Sequence, residues 1–226
     1  MKLADNVELL EIKTEQGAYY PVLLWDDTHV ILVDTGFPGQ FDLLKAQIEK
    51  AGFSPEKITH VILTHQDMDH VGSAKLLREM GAKILAYEIE APYIQGDKTP
   101  IKMADMEAHL AELTPDRLAF YNMIKAGAPR FYTRVDECLK DGQIIDVCGG
   151  IEVLHTPGHT PGHIALRLRA CNIIICGDAA TAPGGVLSGP NPMHAHDLAE
   201  ATRSYEKLLA LHAAGYACYH GGYVAG

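Results

Sequence analysis

The sequence predicts an α/β fold built as two β-rich, helix-flanked halves with a helical stretch between them. Three features of the chain carry this reading. Short apolar runs separated by turn residues fill the first third, with two helix-period segments among them. From about Tyr87 to Arg134 the strand pattern disappears and apolar residues recur at helical spacing. Strands then resume and one long amphipathic segment follows them, a weak duplication of one structural half.

Val7–Ile12, Tyr20–Trp25 and Val30–Val33 read as strands, with Asp26-Asp27 turning the last two into a hairpin. Phe41, Leu44, Ile48 and Ala51 repeat at helical spacing, and Gly52 closes that helix. Ile58–Leu63 is a fully apolar strand that runs straight into Thr64-His65-Gln66-Asp67-Met68-Asp69-His70. Val71–Met80 reads as one helix stopped by Gly81, and Lys83–Ala86 as a strand. In the middle stretch, Met103, Met106, Leu110 and Leu113 fit one helix. Leu118, Phe120, Tyr121 and Ile124 fit a second, with Pro115 near its first turn. Since strands resume afterwards, residues 87–134 read as a helical insertion and the chain 1–226 as one domain. Met103, Met106, Met123, Phe120 and Tyr121 are spaced as helical core faces, with an adaptable apolar pocket wall as the alternative. Ile144–Val147, Ile151–Leu154, Ile164–Leu168 and Asn172–Cys176 are the later strands, and Pro183–Pro192 is a loop. Asp197 can cap a helix carrying Leu198, Ala201, Tyr205, Leu208 and Leu209 on one face. A short strand, Tyr216–Tyr219, ends at His220.

Composition narrows the function classes. Apolar residues make up 47% and charged residues 21% of 226, the balance of a globular chain that can bury a sizeable core. Nineteen Lys and Arg against 29 Asp and Glu leave a net charge of −10, a field that repels nucleic acid. No window approaches the length of an apolar membrane span, and the acidic stretch Met1 to Glu11 does not read as a signal peptide. Five cysteines without a C-x-x-C pair read as small buried hydrophobes in a reducing cytoplasm. The expected partner is a small-molecule substrate, not nucleic acid or membrane, and a homodimer is left open.

The chemistry sits in the twelve histidines. His65-x-Asp67-x-Asp69-His70 packs two imidazoles and two carboxylates at the end of a buried strand, where α/β sheets present ligand-binding groups. A plain strand-end turn, with Asp69 as an N-cap, is the competing reading. Three further strand ends bring more ligand types beside glycine: Gly158-His159 within Thr156–His163, Cys176-Gly177-Asp178, and Tyr219-His220-Gly221. His194 and His196 could reach a substrate from their loop or could simply be solvated. Tyr223 is a candidate oxyanion donor on a C-terminus that could equally fray.

With these motifs in this order, from Asp34-Thr35-Gly36 to His220, the sequence resembles the metallo-β-lactamase superfamily of metallo-hydrolases and oxidoreductases. The resemblance implies a four-layer α/β/β/α sandwich of two mixed β-sheets, its metal site along the edge where they meet and the helical insertion as a cover. It implies a first metal site of His65, Asp67 and His159, and a second of Asp69, His70 and His220. Asp178 would bridge both, Asp34 would support the ligand loop, and His163 would be structural. One position departs from the family pattern: Asp67 stands where H-x-H-x-D-H has its second histidine. If both metals bind, three aspartates and a hydroxide balance two divalent cations, and the extra oxygen ligand favours iron or manganese relative to zinc. If Asp67 points away, one metal binds.

The resemblance further implies a binuclear hydrolase with two divalent metal ions (zinc, iron or manganese). A bridging hydroxide would attack an ester, thioester, lactone or related carbonyl, with Asp178 fixing it and Asp69 handling its proton. Two alternatives stay open. One is a non-haem iron oxidoreductase of the same fold, persulfide dioxygenase-like on His65, His159 and Asp178, or diiron. The other is a non-catalytic, metal-stabilised binding module. The chain stops soon after His220 and Asp178 is followed by Ala179-Ala180-Thr181, so neither the glutathione-holding domain of glyoxalase II nor the tyrosine of lactonase relatives is expected.

Overall fold

The computed structural model of the chain describes residues 1–15 and 17–226. Its first half contains strands β1 (Lys2–Ala4), β2 (Val7–Leu9), β3 (Ile12–Thr14), β4 (Gly17–Tyr19), β5 (Val22–Trp25), β6 (Val30–Val33), β7 (His60–Leu63), β8 (Lys83–Tyr87) and β9 (Glu137–Leu139). Among them lie helices α1 (Phe41–Lys50), α2 (Met68–Val71), α3 (Ala74–Glu79), α4 (Ala91–Ile94), α5 (Ile101–Ala108) and α6 (Pro115–Gly127). The second half contains β10 (Ile144–Ile145), β11 (Ile151–His155), β12 (Ile164–Leu168), β13 (Ile173–Gly177), helix α7 (Leu198–Leu209), β14 (Gly215–Cys218) and β15 (Gly222–Ala225).

Among the described residues the strands form two large mixed sheets. The first runs β1-β2-β5-β6-β7-β8-β9 and the second β10-β11-β12-β13-β14-β15, with β3-β4 a separate hairpin. The parallel pairs are β6-β7, β7-β8, β8-β9 and β13-β14. Strand alternation then sorts side chains into three cores. On β6 and β7, Leu32, Val61 and Leu63 turn outward to Leu44 and Ile48 of α1 and Leu77 of α3. Their neighbours Ile31, Val33 and Ile62 turn inward and meet Val153, Ile164, Leu166 and Ile175 of the opposite sheet. Ile174 and Cys176 of β13 face outward again, against Leu208 of α7. Helix, sheet, sheet and helix are therefore the four layers, as expected.

Local departures have local causes. The helix read over Val71–Met80 is two short ones, α2 and α3, because Gly72 lies directly on the loop at residues 36–38. A Cβ there would come within 2.3 Å of Gly36 O, Phe37 C and Pro38 N, so only glycine permits the contact. The helix over Met103 to Leu113 ends at Ala108 and gives way to a 3-10 turn, Leu110–Glu112. Beyond His220 the chain does not fray: β15 pairs antiparallel with β14 and its Tyr223 hydroxyl turns to Ala214 O, which removes Tyr223 as an oxyanion donor. Strands β1 and β9 are too short and too exposed to leave an apolar run in the sequence. Of the cysteines only Cys176 and Cys218 are buried, whereas Cys138 is exposed and Cys148 and Cys171 are half-buried. No helix among the described residues is long and apolar enough to cross a membrane.

Candidate metal centre

The candidate ligands of the sequence motifs arrive at one place because each lies beyond the end of a strand. His65 to His70 follow β7 and enter α2, His159 follows β11, Asp178 follows β13, and His220 follows β14. Three donor groups result, each with its ligand-type atoms within 4.8 Å of one another: His65, Asp67 and His159; His65, His70 and Asp178; and Asp69, His70 and His220. The Asp67 carboxylate points inward, 3.3 Å from His65 Nε2 and 2.9 Å from His159 Nε2. Asp69 does not serve as the N-cap of α2, a position held by Asp67. Its carboxylate instead lies 3.2 Å from His220 Nε2 and 3.6 Å from His70 Nε2. Asp178 spans the groups, 3.3 Å from His70, 3.4 Å from His159 and 3.6 Å from His220.

Supporting hydrogen bonds fix which nitrogen of each ring is bare. Asp34 accepts from Thr64 N at 2.9 Å, Thr64 Oγ1 at 2.8 Å and His70 Nδ1 at 2.9 Å. The Thr64 hydroxyl gives its proton to Asp34, so at its 3.0 Å contact it accepts from His65 Nδ1. Both rings thereby carry hydrogen on Nδ1 and turn Nε2 to the centre, the orientation a metal ligand needs. Asp34 itself has φ +61°, a left-handed conformation that aspartate tolerates better than most residues. His163 is different. Its Nε2 accepts from Asp178 N at 2.9 Å and its Nδ1 contacts Thr156 Oγ1 at 2.8 Å, so neither nitrogen is free for a ligand. Full burial, with His65 and His159 next to it, pushes His163 well below the ordinary histidine range and keeps it neutral.

The electrostatics favour a cation at the centre. Burial alone would raise the carboxyls of Asp67 and Asp178, but the surrounding imidazoles hold both well below the usual carboxylate range. Burial opposes charge on His70 as well, yet Asp34, Asp69 and Asp178 together push it well above its usual value. Desolvation takes His65 down to about 4. Among the described residues, the buried atoms His65 Nε2, His70 Nε2 and Asp178 Oδ1 have no hydrogen-bond partner. Unpartnered atoms facing one another, beside carboxylates kept ionised in a buried site, call for positive charge there, which a bound metal or the extra proton of His70 supplies. The imidazole and carboxylate donors present fit divalent metals.

Sequence reading missed three contributors. Glu90, fully buried between β8 and α4, accepts from Gln66 N and Gln66 Nε2 at 2.9 Å and from Thr160 Oγ1 and Gly162 N at 2.8 Å. It thus clamps the loop of His65 and Asp67 to the loop of His159. Lys102, on α5, places its ammonium on the Asp67 carboxylate and 3.3 Å from His159 Nε2. Tyr219 packs its ring 3.9 Å from that of His70 and donates its hydroxyl to Asp69 O. A buried glutamate outside any motif, a lysine on an insertion and a tyrosine just past a strand leave no spacing signal. His194 and His196 both line the cavity over the centre. Of the apolar insertion residues, Met103 and Tyr121 are buried, Met106 and Phe120 line that cavity, and Met123 is exposed.

This strand-end centre between two facing mixed sheets is a candidate metal site. A sequence profile of the metallo-β-lactamase superfamily matches residues 16–220, and the chain belongs to that family. Among curated relatives, the uncharacterized protein YobT of Bacillus subtilis is 29% identical over 175 residues, covering 75% of this chain and 66% of YobT. The same organism's YflN, named a probable metallo-hydrolase, is 24% identical over 166 residues, covering 72% of this chain and 60% of YflN. The hydroxyacylglutathione hydrolase GloC of Haemophilus influenzae is 28% identical over 179 residues, covering 76% of this chain and 71% of GloC. The chain thus spans less than two thirds of the first two relatives. A solved metallo-β-lactamase family protein of Thermus thermophilus, TTHA1429, shares the fold with a TM-score of 0.81 at 23% identity, over 99% of this chain and 76% of that one. At the level of the family, then, the chain has the metallo-β-lactamase fold, and YflN and GloC among its relatives are named as hydrolases.

Proposed function

We propose that the protein is a binuclear metal-dependent hydrolase of an ester, thioester, lactone or related carbonyl substrate. One observation carries the reading: two complete three-residue donor groups, joined by shared contacts of Asp178, open into a single cavity. His65, Asp67 and His159 would hold one metal, Asp69, His70 and His220 the other, and Asp178 would serve both. Bound metals would supply a water acidic enough to attack at neutral pH and a Lewis acid for the carbonyl oxygen.

The chain's own groups do the rest. Asp34 and Thr64 hold His70 and His65 with Nε2 toward the centre. The Asp69 carboxylate, tied to His220 and facing the cavity, can take a proton from the attacking water and return it to the leaving group. Lys102 offsets one carboxylate charge at Asp67 and lies where a developing oxyanion could be met. The carboxylate at position 67, in place of a histidine, suits iron or manganese better than an all-imidazole site would.

The test is reconstitution with zinc, manganese and, without oxygen, iron, followed by elemental analysis and a screen of esters, thioesters and lactones. Two metal equivalents with hydrolysis are expected. One equivalent bound as iron, with oxygen consumption and no hydrolysis, would replace this reading with the oxidoreductase one.

A further inference from the structure

The cavity over the centre measures about 1170 Å³, more than a small polar substrate fills. The donor residues form only part of its wall. A second part comes from the helical insertion, where the polar Asp105, His109, Glu112 and Arg117 stand among Met106 of α5, Leu113 of the connecting turn, Phe120 and Ile124 of α6 and Phe131 beyond it, and Met68 of α2 adds to this wall. Phe120 and Ile124 are four residues apart, so they form one stripe on α6. Phe120 is 43% exposed, and only Tyr121 of α6 is buried. That helix therefore spends an apolar stripe on the cavity, leaving apolar surface that an apolar ligand would cover. The two methionines give the wall a shape that adapts to a flexible chain. The arm begins beside the first donor group, because α5 carries Lys102 on Asp67 and near His159. The wall from Asn191 to His196 is mixed, with the polar Asn191, His194 and His196 beside Met193 and Ala195.

Resting on the hydrolase reading above, we propose that the substrate is an acyl compound with an unbranched hydrocarbon chain, and that this chain lies in the arm between α5, α6 and Met68. The carbonyl then sits at the first donor group and the leaving group faces the mixed wall.

The experiment uses the metal-reconstituted protein and p-nitrophenyl esters from acetyl to dodecanoyl. Each methylene buried in the arm should raise kcat/KM about fourfold, the equivalent of ~0.8 kcal/mol, until the arm is full. Because the arm is partly open, an increase of at least about tenfold from acetyl to octanoyl is the threshold. In Phe120→Asp, a change at a half-exposed position that folding should tolerate, the octanoyl-to-acetyl ratio should fall by a similar factor. Binding is read separately, by displacement of dansyl-undecanoate with laurate. Hydrolysis without chain-length preference would overturn the acyl-chain inference and leave the hydrolase reading standing. Absence of all hydrolysis in fully metallated protein would overturn the hydrolase reading. Saturable probe binding that Phe120→Asp abolishes would then still support a hydrocarbon chain in the arm, and its absence would overturn that too.

Discussion

Removing the Glu90 carboxylate should separate the two loops that carry His65, Asp67 and His159. Its four hydrogen bonds, all 2.8–2.9 Å, come from donors of two kinds. Gln66 Nε2 and Thr160 Oγ1 can swing to other partners. Gln66 N and Gly162 N are backbone groups and cannot. In Glu90→Ala two fixed, buried N–H groups lose their acceptor, at about 1–3 kcal/mol each, so about 2–6 kcal/mol of stability should be lost. Glu90→Gln keeps the shape but offers one acceptor oxygen, leaving one fixed N–H facing an amide NH₂, so about 1–3 kcal/mol should be lost. Urea denaturation of the metal-free proteins measures this order. Metal titration then shows whether the clamp positions ligands: affinity at the first site should weaken while Asp69, His70 and His220, which Glu90 does not touch, retain theirs. If Glu90→Ala lost less than about 1 kcal/mol and bound both metals as the wild type does, the clamp would be no more than a spectator.

Three other expectations follow from single residues. Asp67→His removes a negative charge from the centre, so the acidic limb of kcat/KM should move to lower pH and metal preference toward zinc; a pH–rate profile and a zinc–manganese competition read both. Gly158→Ala should destabilise and weaken metal binding, because its φ is +125° and a Cβ would lie 2.0 Å from Ala201 N at the start of α7, a change seen as a lower melting temperature. Asp26 accepts from Cys148 N, linking the second sheet's β10–β11 turn to the first sheet's hairpin, and this bond, with others from Thr28 and His29, lowers its carboxyl pKa. A depressed carboxyl contributes stability above its unfolded pKa of about 3.9 that is lost as pH falls through the folded value, so Asp26→Asn should narrow the gap between neutral and acid melting temperatures.

Much of the fold was legible because burial on one or both faces writes itself into residue order. Val30–Val33 and Ile164–Leu168 are strands with the boundaries the apolar runs gave, and Asp197 caps α7 by accepting from Glu200 N as its position before the helix suggested. The shortest elements were not legible: β1, β9 and both strands of the β3-β4 hairpin have three residues each, too few to show a hydrophobic period even where Ile12, Tyr19 and Leu139 are buried. The break between α2 and α3 was hidden for another reason, since it depends on what lies against Gly72.

At the centre the same division holds. The sequence by itself determined the donor types and their strand-end positions, because a metal-ligand motif requires particular side chains at fixed local spacing. Only the tertiary structure decided which donors share a group, that Asp67 faces His65 and His159, and that His163 spends both nitrogens on Thr156 and Asp178. Glu90 and Lys102 are the clearest cases. A carboxylate between two loops about ninety-five residues apart, and an ammonium delivered by an insertion helix, are set by how layers pack and not by neighbours along the chain. The apolar arm is of the same kind: the period of α6 gives its stripe, but whether that stripe meets a core or a cavity depends on where the helix comes to rest.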